Sequence, residues 1–77
     1  MPTVLRIKGY RIGFFSADGD EPPHVHIAKD DNQAKFWLDP VQLAKNVGFS
    51  RHELNEVHDI VTEQQQNLLR AWHEYFG

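Results

Sequence analysis

The carboxy-terminal third constrains the fold of this chain more than any other part. Ser50-Arg51-His52-Glu53 has the form of a capping box, in which a hydroxyl and a carboxylate each satisfy a backbone N–H at a helix start. Beyond it, at about 100° per residue, Leu54, Val57, Val61, Leu68, Trp72 and Tyr75 fall in a sector about 60° wide, with Leu69 and Phe76 at its border. Glu56, Asp59, Glu63, Arg70 and Glu74 take the opposite side. The spacing predicts one long amphipathic helix over residues 51–76. Unbroken, it would span about 39 Å, whereas a compact chain of this size has a radius of gyration of about 11–12 Å. Either the helix breaks, or its last turns reach past the domain. In the second case Trp72, Tyr75 and Phe76 are partner-binding residues, toward a second copy or a cognate protein. His58 and Gln65 lie on the margin of the apolar stripe, where a polar group is expected to bond to a loop carbonyl or a partner.

The first 49 residues follow a different period. Val4-Leu5-Arg6-Ile7 and Tyr10 to Ser16 alternate as strands around a Lys8-Gly9 turn, which predicts a hairpin. Ala17 to Pro23 reads as a loop with three acids, Asp18, Asp20 and Glu21. His24 to Lys29 is the third strand. Because Pro23 cannot donate to a ladder, this strand is expected to start abruptly or lie at an edge. Asp30-Asp31-Asn32-Gln33 reads as a polar turn and Ala34 to Leu38 as the fourth strand, stopped by Asp39-Pro40. In residues 41–49, Val41, Leu43 and Val47 fit either a fifth strand or a helical turn. The expectation is an α+β domain over residues 1–77: a small, mainly antiparallel sheet of three to five strands in residues 1–49, with one C-terminal helix packed on a face.

At 77 residues, a single core supplies only a few kcal/mol. The chain has no cysteine, so disulfides and thiolate metal sites are excluded. Additional support must come from helix packing, a histidine/carboxylate metal or a partner. No apolar run is long enough to span a membrane, and Met1-Pro2-Thr3 does not open a signal peptide, so a soluble, cytoplasmic protein is expected. The net charge of −3 argues against a dedicated DNA binder. The amino-terminal part is nevertheless basic, with Arg6, Lys8 and Arg11 as candidate anion contacts.

Pro22-Pro23-His24-Val25-His26 is the one stretch that joins an imposed backbone to side chains titrating near neutral pH. Alternation sends Val25 and Ile27 to the core and leaves His24 and His26 on the opposite face, free of packing. Residues i and i+2 on a strand stand about 6.5–7 Å apart with parallel side chains. Two imidazoles so placed can ligate a divalent metal such as zinc, given further ligands. Asp18, Asp20 and Glu21 are near in sequence, and His58 or His73 can approach from the helix. The same histidines can act catalytically. A metal-independent ribonuclease needs a general base near neutral pKa and a cation for the developing charge, which His24 or His26 with Arg6, Lys8 or Arg11 would supply.

On Met1-Pro2-Thr3, Gly9-Tyr10, Pro22-Pro23-His24-Val25-His26, Ala34 and Leu68-Leu69-x-x-Trp72, the chain resembles a small bacterial family known only as domain of unknown function 4160. Members of that family are often encoded beside a second small domain of unknown function, numbered 2442. The resemblance therefore implies a toxin-like component of a type II toxin–antitoxin pair, with the protein encoded by the adjacent gene as cognate partner. His24 and His26 match the family's distinctive positions; many relatives carry a helical histidine where this chain has Gln64. A non-catalytic protein- or metal-binding module using His24 and His26 is the alternative, and an enzyme acting on RNA the third reading.

Overall fold

Lys8 and Gly9 turn the chain back on itself because both take positive φ, 53° and 83°. That pair of left-handed conformations matches a two-residue loop to the twist of its strands. The turn joins β1 (Thr3–Ile7) to β2 (Tyr10–Gly13), with Ile7 opposite Tyr10. The computed structural model describes residues 3–77; Met1 and Pro2, and the readings that rest on them, lie outside that range. A short 3-10 turn (Ser16–Asp20) leads to β3 (His24–Lys29), followed by β4 (Asn32–Leu38), β5 (Val41–Val47), α1 (Arg51–Glu63) and α2 (Gln65–Phe76). The strands form one antiparallel sheet in the order β1-β2-β3-β4-β5.

Several local expectations shift. The second strand ends at Gly13 rather than Ser16, and the loop after it winds into the 3-10 turn. The polar turn shrinks to Asp30-Asp31, with Asp30 at φ 55°. Residues 41–47 are a strand, paired along β4 across a register shift at Lys35/Phe36. β3 is central rather than at an edge. Pro23 is accommodated because only its carbonyl is used, accepting from the Leu38 N–H at 3.0 Å.

Alternation places Ile12, Val25, Ile27, Phe36 and Leu38 on one face, all at most 1% exposed. Both helices cover that face, adding Val57, Ile60, Val61 and Leu68, while Phe49 enters from the connector. Each such side chain contributes about 1.5–3 kcal/mol on burial. The Tyr10 hydroxyl lies against the same core and donates to Glu56 Oε1 at 2.9 Å. The Ser50–Glu53 capping box forms as the sequence predicts. No helix among the described residues is long and apolar enough to cross a membrane.

The long helix is broken. Gln64 takes φ −96° and ψ 6°, between the helical ranges of α1 and α2. Before it, the Thr62 hydroxyl donates to the His58 carbonyl at 2.7 Å, a back-bond that bends helices. After it, the Gln65 side chain donates to the Leu38 carbonyl, tying the new helix to the end of β4. The marginal Gln65 thus bonds to a loop-end carbonyl. The break keeps the longest dimension to 33 Å and the radius of gyration to 11.3 Å. It also folds the aromatic end back onto its own sheet: Trp72 is 4% exposed, its ring 5.5 Å from that of Phe14. Phe76 packs on Phe14 and Trp72 as well. Of the three aromatics expected to meet a partner, Tyr75 alone keeps a largely exposed side chain, at 55%.

Candidate metal centre

The prolines and the 3-10 turn build this site together. Within the turn, Asp18 Oδ2 accepts the Phe15 N–H at 2.8 Å, which fixes its carboxylate at the start of the turn. Gly19 in the same turn lies under the Phe76 ring; a Cβ there would stand 2.7 Å from Phe76 Cδ1. The end of α2 therefore seats the loop that carries Asp18. Glu21-Pro22-Pro23 then delivers His24 to the first position of β3.

His24 and His26 lie on the face opposite Val25 and Ile27, as alternation requires, but only His26 keeps a partly exposed side chain, packed against Phe15 and His24. His24 is fully buried, which overturns the expectation that both are released. Its ring is enclosed by Trp37 of the neighbouring strand at 5.6 Å, His26 at 5.1 Å and Trp72 at 5.1 Å. The helix break causes this, because it brings Trp72 under the end of the sheet where β3 begins.

The hydrogen-bonding state of His24 decides what the site can do. Its Nδ1 lies 2.9 Å from the Pro22 carbonyl, which can only accept, so Nδ1 carries the proton. Its Nε2 is buried and has no hydrogen-bond partner. That nitrogen faces carboxylates, with Asp18 Oδ2 at 3.3 Å and Glu21 Oε1 at 3.7 Å. His26 Nε2 meets the same Asp18 oxygen at 3.0 Å. Burial, the largest influence, pushes the His26 imidazole below its ordinary range; the Asp18 carboxylate pulls the other way, and His24 and Lys35 add to the lowering. A neutral imidazole at neutral pH is the ligand form. Glu21 is engaged by Lys35 at 2.7 Å, and that ammonium holds its carboxyl below the usual carboxylate range.

Asp18, His24 and His26 bring their donor atoms within 4.8 Å of one another, the one such grouping among the described residues. Around a tetrahedral zinc with bonds of about 2.0–2.1 Å, adjacent ligand atoms stand about 3.3 Å apart. The separations of Asp18 Oδ2 from the two histidine nitrogens, 3.0 and 3.3 Å, are of that size, and the three donor atoms as a group lie within 4.8 Å. A ligating histidine whose other nitrogen donates to a carbonyl is the usual supporting arrangement for a metal. Asp20, His58 and His73, considered as further ligands, are outside the group and exposed.

The predicted cations separate. Arg6 and Arg11 are cross-strand partners on the His26 face, beside a cleft of about 460 Å3 that both line with His26. Lys8 belongs elsewhere: its position in the turn sends it toward α1, 3.7 Å from Glu56. Lys35 and Lys45, not singled out from the sequence, face each other across β4 and β5; for Lys35 the alternation with buried Ala34 and Phe36 was the available signal, whereas β5 shows no such alternation.

A family model described as domain of unknown function (DUF4160) matches residues 9–73. No curated protein matches, and no solved structure matches.

Proposed function

We propose, given that the chain belongs to the DUF4160 family, that it is a metal-binding module whose centre is Asp18, His24 and His26, taking one divalent ion such as zinc. The observation that carries this reading is the buried, unpartnered His24 Nε2 beside the Asp18 carboxylate. A purely structural histidine would have both ring nitrogens satisfied, since an unmet buried polar group costs about 1–3 kcal/mol. With Nδ1 held by the Pro22 carbonyl, Nε2 is the nitrogen left aimed at the Asp18 carboxylate, and a cation between the two would be held by both. Three protein ligands leave a coordination position open, the pattern of metal sites that act on a substrate, where the ion would supply Lewis-acid polarisation. Pro22 holds the His24 ring, and the turn holds Asp18.

The toxin-like role draws on family resemblance, whereas the metal reading draws on the geometry and takes precedence. Growth arrest on expression, rescued by the neighbouring gene product, tests the former. For the latter, the full chain is dialysed against zinc and its metal content measured. One equivalent is expected, together with a stabilisation of about 2.7 kcal/mol at free zinc one hundred times the Kd. Asp18→Asn and His26→Ala, whose side chains are not fully buried, should lose the metal and keep the far-UV dichroism of the fold. Background metal content, or equal retention by Asp18→Asn, overturns the reading.

A further inference from the structure

The sheet face that the helices leave uncovered is basic, although the whole chain carries a net charge of −3. Pairing aligns its residues in rows. Arg6, Arg11, Ala28, Gln33 and Val47 form one row across the strands, and Gly13, His26, Lys35 and Lys45 the next. Small side chains at Gly13 and Ala28 leave the middle of the face low. The 460 Å3 cleft there is continuous with a second depression, sharing Phe15, His26 and Gln33, that runs on to Lys35 and Lys45. Neither is lined by a carboxylate. Among the described residues Arg6, Arg11 and Lys45 have no ion-pair partner, while Lys8 and Lys35 do. Phe15 stands at the junction, 44% exposed, its ring 4.9 Å from that of His26.

We propose that this trough binds single-stranded RNA, with phosphates at Arg6, Arg11 and Lys45 and a base stacked on Phe15. The charge is complementary: Arg6, Arg11 and Lys45 line depressions that hold no carboxylate, Asp18 and Glu21 at their margin are engaged by His26 and Lys35, and the carboxylates of α1 and α2 lie on the other side of the sheet. An exposed ring between cations is the arrangement by which single strands are held, through backbone contacts and stacking. An acidic peptide would use the cations but has no planar base for Phe15. Gln33, two strands beyond Arg11, and Thr3, opposite Gly13, add neutral hydrogen-bonding groups to the trough beside the arginines, suited to a ribose 2′-hydroxyl. Binding here does not depend on the metal centre, although His26 borders both.

The test is fluorescence anisotropy of the full chain with a labelled mixed-sequence 12-nucleotide RNA, run in EDTA so that it is independent of the metal. Three phosphate contacts predict a log–log salt slope of about −2, a loss of about 20-fold in affinity from 50 to 200 mM salt. Arg6→Ala and Arg11→Ala should each reduce that slope by about 0.7. Phe15→Ala should weaken binding about 5- to 150-fold with the slope unchanged. Lys8→Ala, on the far side of the turn, should have no effect. Asp18→Asn should still bind RNA, whatever becomes of its zinc. The proposal is overturned by absent or salt-independent binding, by indifference to the Arg6→Ala/Arg11→Ala pair, or by equal affinity for single-stranded DNA, duplex RNA or polyglutamate.

Discussion

The two faces of the sheet solve opposite problems with the same five strands. On the covered face the polar hydroxyl of Tyr10 is buried, yet it donates to Glu56, while the Lys29 ammonium stands 4.7 Å from the centroid of the Tyr10 ring. On the uncovered face the buried polar atom, His24 Nε2, has no hydrogen-bond partner, and among the described residues Arg6 and Arg11 have no ion-pair partner. An unmet polar atom on one face and a paired one on the other is the contrast on which the proposed metal and RNA contacts rest. One strand serves both, since Val25 and Ile27 are core while His24 and His26 belong to the site. The faces meet at Trp72, which touches Phe14 on one side and His24 on the other.

The strongest challenge to that division is therefore Trp72→Ala. Removing a buried aromatic costs about 3–5 kcal/mol, most of what a domain this small commands. Urea denaturation should show that loss, and zinc should no longer be retained. Undiminished stability with lost metal would mean that the end of α2 serves the site alone. Tyr10 comes next. Burial, then its bond to Glu56, pushes its hydroxyl up to about 12, against about 10 unfolded. The folded state thus keeps a proton that the unfolded state releases first. The stabilisation is complete below about pH 10 and lost as pH rises to about 12, roughly 3 kcal/mol in all. Tyr10→Phe should remove this alkaline decline from a stability–pH curve while leaving zinc stoichiometry unchanged. Any loss of metal in that variant would couple the faces where the structure separates them.

What could be read from the sequence was what is local. The Ser50–Glu53 cap and the limits of β3 depend on neighbours in the chain, and both are where the pattern put them. Residues 41–47 were ambiguous because Val41, Leu43 and Val47 suit two periods; pairing with β4 decides, and that is a tertiary contact. Alternation alone would set Lys8 beside Arg6, yet the left-handed turn takes it to Glu56. Ile60 was missed because it lies about 60° outside the narrow stripe within α1 itself, and Tyr75 was wrongly included because Gln64 interrupts the phase before α2. The same interruption buries His24. Among Asp18, Asp20 and Glu21, the sequence offers no choice; the Phe15 N–H selects Asp18.

Gly19 gives the smallest effect and the finest resolution of how the faces are joined. Its new methyl in Gly19→Ala would sit 2.7 Å from Phe76 Cδ1 and 3.1 Å from Cε1, so the ring or the turn must move. Phe76 is only half-buried, so the cost to global stability should be slight. The turn, however, carries Asp18, a ligand of the proposed centre, and disturbing the support of a metal ligand lowers affinity about 10- to 100-fold. A tenfold loss of zinc affinity, about 1.4 kcal/mol, is expected at nearly unchanged urea midpoint. In the double variant with Phe76→Ala the clash is gone, and affinity should recover part of that loss, a coupling that a double-mutant cycle measures directly. Additive effects would show that α2 does not position Asp18, and the link between helix packing and the site would then run through Trp72 alone.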